Sequence, residues 1–483
     1  MAAESVNYQC PACMGPLHYV GATGKLQCDY CGGSYTPEEV EALYAAKQQA
    51  ADEAQAEATA RAEAGERSAF DQMGDAAGAS SVVTQEVLDD AAQVSAQAAA
   101  EGGAEASYFA RASWNDEERA GLRSFTCSSC GAQITVDATT SVTECPYCGN
   151  QAVAPGAFAG GARPDALIPF KLDQEAAQNA LASYYKGKKF LPKEFASQNR
   201  IAHLQGVYVP FWLYDGRAEG SGTFHCENVR TYRSGDEQVT ETDVYEAYRE
   251  GELSFTRIPA DASSKMPDAH MDAIEPFDFS EMRDFSVAYL PGYLAERYDQ
   301  DPNACCHRVD RRMRGSLEEE LRATVVGYDS VGEGSIDANT QVGEVRQALF
   351  PVWMLHTRWK DDDYLFAMNG QTGRLVGDLP VSAVKVVLWF LGIFAVLAAV
   401  FVGLDVSVFQ FDDEATSIII DGGIPIVAAA AVCYGFYRQM KTAVEQDDAA
   451  GYITQEGQNL TGSADRYVTT LVTRTKIADD KND

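Results

Sequence analysis

The pattern of apolar and polar residues changes several times along the chain. Residues 38–64 are rich in Ala, Glu and Gln, a composition that favours helix, although the apolar side is mostly Ala. Residues 65–106 add Gly and Ser and lose this periodicity. We therefore expect a solvated helix that ends in a flexible linker, together spanning residues 37–120. A partner-binding coiled coil is the alternative, but no apolar heptad is sustained.

Residues 163–380 have the mixed pattern of an α+β domain. A helix is expected in "LDQEAAQNALASYYKG", with Asp173 as its N-cap. Alternating segments on either side of the turn "RSGDE" predict two long strands, and a helical stretch is expected over residues 294–325. Further strands are expected in "RQALFPVWMLHTRW" and "DYLFAMNGQTGRLVGDLP". The basic stretch "HRVDRRMR", residues 307–314, is expected to be a salt-bridged surface.

Two apolar runs near the carboxyl end predict a transmembrane hairpin. Residues 386–404 are nineteen residues without a charge, a length of about 28 Å at about 1.5 Å per residue, which matches the hydrocarbon layer. Residues 418–437 form a weaker run, because Asp421 and Pro425 lie near its start. We expect both runs to span. A buried helix of a soluble protein is the alternative for the first.

The flanking charges predict the orientation of this hairpin. Lys385 precedes the first run, Arg438 and Lys441 follow the second, and the intervening residues 405–417 contain no Lys or Arg. Under the positive-inside rule both ends face the cytoplasm. We therefore expect a multi-pass cell-membrane protein whose termini and main domains are cytoplasmic. Residues 438–483 are expected to form an acidic, mobile cytoplasmic tail.

The overall charge argues against nucleic acid as the partner. The 38 Lys and Arg against 71 Asp and Glu give a formal charge of −33, and such a surface repels phosphate backbones. The amino-terminal sequence has neither a basic start nor an apolar run, so we expect it to stay on the side of synthesis. With 12 cysteines, a reducing compartment calls for a metal to explain most of them.

Eight of the cysteines fall into two sets with the same spacing, C-x-x-C, fourteen residues, C-x-x-C. In each set the two turns supply four sulfurs for a tetrahedral metal ion, and the Gly after a turn lets backbone N–H groups reach the thiolates. Four thiolates leave no open position, so the metal is structural rather than catalytic. The sequence thus predicts two Zn²⁺ sites, in zinc ribbons at residues 6–36 and 121–155. Their ligands are Cys10, Cys13, Cys28 and Cys31, and then Cys127, Cys130, Cys145 and Cys148.

Other uses of these cysteines stay open at this point. Disulfides and a redox C-x-x-C pair are alternatives to a metal, and the ligand set does not exclude iron in a rubredoxin-like site. Of the four remaining cysteines, Cys226 lies in an expected strand and Cys433 in an apolar run, and both are expected to be packing residues. Cys305 and Cys306 adjoin His307, but adjacent helical residues point about 100° apart, so a shared metal is not expected there.

The chain resembles a bacterial family of membrane-anchored TFIIB-type zinc-ribbon proteins, which are often mislabelled as primosomal-helicase-like. The resemblance is carried by "CPYCGN", "LIPFKLD", "GVYVPFWLYD", "DASSKM", "EPFDFSEM", "YLPGYLAERYD" and the stretch from "LFPVWMLHTRWKDDD" to "GRLVGDLP". It implies a cytoplasmic module on a membrane anchor, and partners of the SPFH or phage-shock type. The long Ala/Glu-rich insert departs from the family pattern.

The leading functional hypothesis is a non-enzymatic, membrane-anchored zinc-ribbon adaptor or scaffold, whose linker gives the first ribbon reach. It implies a protein partner and the lipid bilayer, and an oligomer stays open. A nucleic-acid-binding protein at the membrane is one alternative, although residues 127–148 contain no Lys or Arg. An enzyme with an unrecognised site in residues 163–380 is another. No catalytic residue is predicted, because Walker, G-x-S-x-G and HExxH motifs are missing from the sequence.

Overall fold

The structure, a computed structural model, describes most of the chain outside the linker. The described residues are 10–13, 15–46, 49, 114, 118–119, 122–137, 145–148, 153–156, 162–195, 203–360, 362–404 and 419–476. The predicted linker at residues 65–106, and most of the helix expected before it, lie outside them. The same holds for the segment between the two apolar runs.

The chain divides into two compact units, and each contains part of residues 163–380, the stretch expected to form one α+β domain. The first unit comprises Met1–Pro210, Phe277–Arg297 and Leu349–Ala443. The second comprises Phe211–Pro276, Tyr298–Ala348 and Val444–Asp483. Two long strands contribute residues to both units, and no pattern in the sequence marks the change of unit within a strand.

The first unit contains a small sheet and part of a larger one. The small sheet has the order β1-β2-β3, formed by Leu17–Val20, Lys25–Cys28 and Ser34–Tyr35. The larger sheet is mixed and follows the order β10-β7-β12-β8-β11-β5-β4-β6, with β13 and β14 joined to β12. Its strands that lie in this unit, wholly or in part, are β4 (Leu122–Cys127), β5 (Gln133–Asp137), β6 (Val153–Gly156), β7 (Ala166–Leu167), β8 (Gln205–Ser234), β10 (Arg283–Asp284), β11 (Leu294–Glu296), β12 (Ser330–Trp359), β13 (Asp362–Asn369) and β14 (Leu375–Gly377). Of β8 and β12, only the residues up to Pro210 and from Leu349 onward belong to the first unit.

Two helices of the first unit begin as their sequences dictate. Helix α1, residues 37–46, starts with a capping box, in which the Thr36 and Glu39 side chains each accept the other residue's backbone N–H. Helix α2, Gln174–Tyr185, has Asp173 as its N-cap, and the Asp173 carboxylate accepts the N–H of Ala176 at 2.8 Å. The prediction of this helix and of its cap is therefore confirmed.

An aromatic cluster forms the centre of the first unit. The ring of Phe170 stacks on Tyr293 with centroids 4.1 Å apart and meets Tyr208 and Trp353 edge-on at 5.0 and 5.3 Å. The Trp353 indole N–H donates to the Leu172 carbonyl at 3.1 Å, so its one polar atom is satisfied. These rings come from four separate chain segments and hold them in one core.

The second unit consists of long antiparallel strands with one long helix. Strand β9, Glu237–Asp261, pairs with β8 on one side and with β15, Ile453–Lys476, on the other. Helix α4, Pro302–Ala323, packs against β9, and the short helix α3 is Asp268–Ala273. The predicted helix over 294–325 therefore starts later, because Leu294–Glu296 pair as β11 and the side chain of Asp301 caps α4.

The carboxyl-terminal segment differs from the mobile tail expected over residues 438–483. Residues Ile453–Lys476 form the 24-residue strand β15, whose register with β9 runs from Ile453 opposite Phe255 to Lys476 opposite Glu237. The polar, Thr-rich sequence lacks the apolar alternation of a half-buried strand. It nevertheless pairs, because strand formation here satisfies backbone groups without requiring a buried face.

A buried ion pair fixes helix α4 in the second unit. The Arg312 guanidinium lies 2.8 Å from a Glu275 carboxylate oxygen and also donates to the carbonyls of Pro259 and Asp448, each at 2.9 Å. Both side chains of the pair are almost fully buried, and Tyr452 donates its hydroxyl to Glu275 at 2.6 Å. Burial raises the pKa of Glu275, and the adjoining Arg312 opposes that shift.

The basic stretch at residues 307–314 therefore only partly matches the expected surface. Arg308 is buried like Arg312, and its Nη2 lies 2.7 Å from Oδ1 of the fully buried Asp261. Arg314 does lie on the surface, where it pairs with Asp310 one turn earlier on the helix. The alternation of buried and exposed arginines follows the helical period, because residues 308 and 312 share one face of α4.

Two apolar helices lie in the last chain segment of the first unit. Helix α5 is Ala383–Leu404, and helix α6 is Ile424–Arg438, preceded by the π-turn Ile419–Gly423. Both helical segments are long and apolar enough to cross a membrane, by length and composition. The apolar window of α5 has 0% of its residues buried, and that of Ile419–Arg438 has 17%. Trp389 and Phe436 join the two helices edge to face at 5.8 Å.

The buried ion pair predicts a strong local effect of replacing Arg312. Arg312→Ala leaves Glu275 buried without its cation, and we expect the free energy of local opening around α4 and β9 to fall by about 3–5 kcal/mol. Amide hydrogen exchange of the purified chain measures this opening segment by segment.

Arg314→Ala is the matched control on the same helix, because it removes an exposed pair that contributes about 0–1 kcal/mol. Equal loss of protection in the two variants would contradict a specific role for the buried pair.

Candidate metal centres

The first ribbon positions its cysteines through three short strands and two turns. Leu17, Tyr19 and Leu26 alternate toward the core of the first unit, as a half-buried hairpin requires. Cys10 lies just before β1, and Cys28 ends β2. The hairpin thus brings its two C-x-x-C turns to the same end.

The C-x-x-C turns that begin at Cys10, Cys28 and Cys127 close with the same backbone hydrogen bond. The N–H of the first cysteine donates to the carbonyl five residues later, at 2.7 Å for Cys10, 2.9 Å for Cys28 and 2.9 Å for Cys127. Gly32 and Gly131 follow the turns with φ of +71° and +74°, a conformation that costs glycine little. The repeat seen in the sequence is therefore also a repeat of local geometry.

In both clusters the predicted ligands come together. The Cys10 and Cys31 sulfurs lie 3.4 Å apart, and the Cys13 and Cys28 sulfurs 3.5 Å apart. In the second cluster the corresponding distances are 3.6 Å for Cys127 and Cys148, and 3.7 Å for Cys130 and Cys145. Within each cluster all four sulfurs lie within 4.8 Å of one another.

This geometry fits a tetrahedral metal ion in each cluster. Zn–S bonds of about 2.3 Å place the sulfurs of a regular tetrahedron about 3.8 Å apart. The observed separations lie close to that value. Each set of four cysteines could therefore hold one metal ion, which would crosslink its two turns without an open position for a reactant. The sulfur ligands accept zinc and iron alike, so the geometry does not identify the metal.

The surroundings favour the thiolate at the first cysteine of each cluster. Burial alone would raise the pKa of Cys10, but backbone N–H groups of Ala12 and Cys13 outweigh it and lower the pKa to about 6. The pKa of Cys127 is lowered to about 7 against the same burial effect. Burial raises the pKa of Cys145. Four thiolates so close together need a cation to ionise fully, which a bound metal supplies.

The second ribbon belongs to the larger sheet of the first unit. Strand β5 pairs with β11, and β11 pairs in parallel with β8, so the sheet continues from the ribbon into the unit. Tyr147, inside the last C-x-x-C turn, donates its buried hydroxyl to Glu296 on β11 at 2.6 Å. The sequence gives no sign of this contact, because the two residues lie 149 positions apart.

The first ribbon is held against the first unit instead of being free to reach. The Tyr19 N–H donates to the Pro291 carbonyl at 3.1 Å, and its ring meets Tyr289 edge-on at 5.3 Å. A Cβ at Gly21 would lie 2.6 Å from the Phe170 carbonyl oxygen, so only glycine permits this approach. Reach of the first ribbon on the linker was the expectation, and these contacts do not agree with it.

A polar cavity of about 530 Å³ adjoins the second cluster. Met354, His356 and Arg358 alternate along β12 and so share the face that lines it. His356 Nε2 lies 3.5 Å from Asp363 Oδ1. The other lining residues are Ser129, Cys145, Pro146, Cys148, His203 and Gln205. Small polar molecules could therefore reach the neighbourhood of two of the cluster's cysteines.

The remaining cysteines do not join a metal cluster among the described residues. Groups of three or more close ligands there are limited to the two sets above. Cys226, Cys305 and Cys433 are buried, and the Cys305 thiol contacts the Asp261 carbonyl at 3.4 Å. The positions of Cys226 and Cys433 agree with the expectation that these two residues pack in the interior.

The fold and the clusters define a multidomain protein with two Cys₄ sites, a mixed sheet and two apolar carboxyl-terminal helices. No family model matches the chain, and no solved structure matches it. A curated relative, the uncharacterized protein YdjG of Bacillus subtilis (strain 168), is 36% identical over 236 residues. That alignment covers 49% of this chain and 69% of the relative. The chain therefore belongs to the same family as YdjG.

The two clusters predict a metal content of two ions per chain. Cys28→Ser and Cys145→Ser should each lower this content to one, because each removes a ligand from a different cluster. Elemental analysis of the purified variants, after dialysis against a weak chelator, measures the content and identifies the metal.

Cys306→Ser is the control, since Cys306 lies on α4 outside both clusters, and it should retain both ions. Two ions in Cys28→Ser or in Cys145→Ser would contradict the assigned ligands.

Proposed function

We propose that this protein is a non-enzymatic adaptor, anchored in the cell membrane by the hairpin of α5 and α6. The rest of its two units would lie on the cytoplasmic side, with structural zinc in both clusters. The proposal extends to a protein partner, of the SPFH or phage-shock type that the family resemblance implies. The observation that carries the anchoring is the exposure of α5.

The exposure of α5 supports a membrane more than a soluble fold. None of its apolar window is buried, and large side chains such as Val384, Leu388 and Val396 are more than 60% exposed. Soluble monomers rarely expose such a contiguous apolar surface. The hydrocarbon layer would cover it, and the helix, at 22 residues, is about 33 Å long, enough to cross that layer.

The flanking charges support the cytoplasmic orientation. Lys385 lies in the first turn of α5, and Arg438 is the last residue of α6. The loop sequence between the helices contains only acidic charges. Retention of Lys and Arg on the cytoplasmic side would place both units there.

The edge strand β15 supports a protein partner. Strand β15 pairs with β9, and no strand pairs with its other edge among the described residues. Tyr467, Val468, Leu471 and Val472 are 45–56% exposed, on both faces of this strand. A free edge offers unpaired backbone groups to an incoming strand, which is a recurring mode of peptide recognition. We therefore place the partner's strand against β15.

In-cell crosslinking followed by solubilisation and affinity purification tests the adaptor role. We expect a defined protein partner to be recovered with the wild-type chain and to be lost, at least about tenfold, with Leu471→Lys, because a charged edge residue opposes strand addition. Nucleic acid recovered without a protein partner would contradict the proposal and favour the nucleic-acid alternative.

Val229→Lys is the matched control. Val229 and Leu471 both lie opposite Thr242 of β9 and so share one sheet face, and they are exposed to similar extents, 44% and 56%. Val229 lies on β8 rather than at the β15 edge. Partner loss in both variants would show that the face, rather than the edge, makes the contact.

The cavity beside the second cluster favours a second candidate function, the binding of a small polar molecule or an enzymatic reaction in the first unit. Its lining by His203, His356 and Arg358 supplies groups that bind anions or transfer protons. Metabolite profiling of the purified chain, compared with His356→Ala, tests this candidate. A small molecule that is retained by the wild type and lost in the variant would support it.

A further inference from the structure

The segment after helix α2 lies against the base of the apolar hairpin. The Ser382 N–H donates to the Phe190 carbonyl at 2.9 Å, and Lys385 donates its ammonium to the Leu191 carbonyl at 2.5 Å. The ring of Phe190 meets Phe436 of α6 edge-on at 5.9 Å. Residues that are 190 or more positions apart in sequence thus meet where the apolar helices begin and end.

Two lysines of this segment, Lys188 and Lys189, also contact the apolar hairpin. Lys188 donates to the Gln439 carbonyl, just after α6, at 2.6 Å, and its ammonium lies 4.4 Å from the centre of the Tyr184 ring. Lys189 lies over the Trp389 ring of α5 at 5.3 Å. The stretch "KGKK", residues 186–189, directly follows α2, where cations suit the helix dipole. The contacts instead connect these lysines to α5 and α6.

Together these residues form a basic cluster at the base of the hairpin. Only two carboxylates, Asp378 and Glu194, lie in the same three segments, residues 186–195, 378–385 and 438–442. Within the described residues, none of the basic side chains forms an ion pair with a carboxylate. The basic cluster is Lys186, Lys188, Lys189, Lys193, Lys385, Arg438 and Lys441.

Such a concentration is unusual for this chain, whose formal charge is −33. An even distribution would place more acidic than basic residues in these segments, and the opposite is found. Lys186, Lys189 and Lys441 are exposed, so a ligand could reach their ammonium groups. They lie where an apolar surface ends, which is the level of lipid headgroups.

We infer that the basic cluster binds the headgroups of anionic phospholipids at the cytoplasmic face of the membrane. This inference rests on the membrane anchoring proposed above. The phosphates of the headgroups accept hydrogen bonds from the ammonium groups while the acyl chains cover α5 and α6. Clusters of four to eight Lys and Arg beside a membrane helix are a recognised mode of anionic-lipid binding.

Lipid binding of this kind gives the anchor a second role. The rest of the cytoplasmic surface is acidic and is repelled by an anionic leaflet, so the basic cluster sets which part of the first unit faces the membrane. Lys385 and Lys188 also donate to backbone carbonyls, which fixes them beside the hairpin. The cluster would therefore orient the unit as well as attach it.

Quenching of Trp389 fluorescence by brominated lipids tests this inference. The full chain is reconstituted in phosphatidylcholine vesicles that contain either brominated phosphatidylglycerol or brominated phosphatidylcholine, and Trp389→Phe identifies the signal. We expect phosphatidylglycerol to bind beside Trp389 at least about fivefold more strongly, since one basic residue near an anionic surface contributes about 1 kcal/mol, a factor of about five.

A triple variant and a matched control make the test specific. Replacement of Lys186, Lys189 and Lys441 by Gln should lower the preference for phosphatidylglycerol at least about fivefold relative to the wild-type chain, because three of the seven cations are lost. Replacement of Lys25, Lys360 and Lys476 by Gln removes the same charge at exposed positions outside the cluster and should leave the preference unchanged.

The outcomes separate the inference from the anchoring on which it rests. Quenching by both lipids to the same extent in the wild-type chain would overturn the lipid preference while supporting insertion of α5. An equal preference in the two triple variants would also overturn the role of the basic cluster. If neither lipid quenches Trp389, the membrane anchoring itself fails.

Discussion

The structure of the first unit depends on four sulfur atoms that must lie together in each ribbon. Like charges at 3.4–3.7 Å repel, so the thiolates can share this space only around a cation. The turns that bring them together are short and carry few buried apolar side chains. A metal ion would therefore supply much of the folding energy of the ribbons, as it does in other small thiolate sites.

The position of the second cluster gives this constraint a wider consequence. Its strand β5 pairs with β11, and β11 pairs with β8, which continues the sheet of the first unit. Tyr147 and Glu296 add a buried hydrogen bond across the same junction. The second unit relies on a different interaction, the buried pair of Arg312 and Glu275 that holds α4. We therefore expect loss of a metal ion to destabilise the first unit and to leave helix α4 in place.

Local signals in the sequence were enough to predict both clusters, the cap at Asp173 and the two apolar helices. Each depends on residues that are close in the chain, so spacing and periodicity contain the information. Interactions between distant segments could not be read in this way. The pairing of β15 with β9 joins residues more than 190 positions apart. Most side chains of β15 are polar, so its sequence does not show the apolar alternation that predicts a strand. The same reason applies to three other features, since each joins segments that are distant in the chain. These are the burial of Arg308 and Arg312, the contacts of Tyr19 and the basic cluster beside α5.

The functional account joins three parts of the molecule. The thiolate clusters are proposed to organise the first unit, the apolar hairpin to attach it to a membrane, and the edge of β15 to receive a partner. Its central claim is that the metal ions are structural elements of the first unit. Hydrogen exchange of the full chain, before and after removal of metal by a strong chelator, tests this claim most directly. The account predicts loss of protection in β1, β2, β4, β5 and β11, with α4 and β9 unchanged. Unchanged protection in the ribbons after complete metal removal would contradict it.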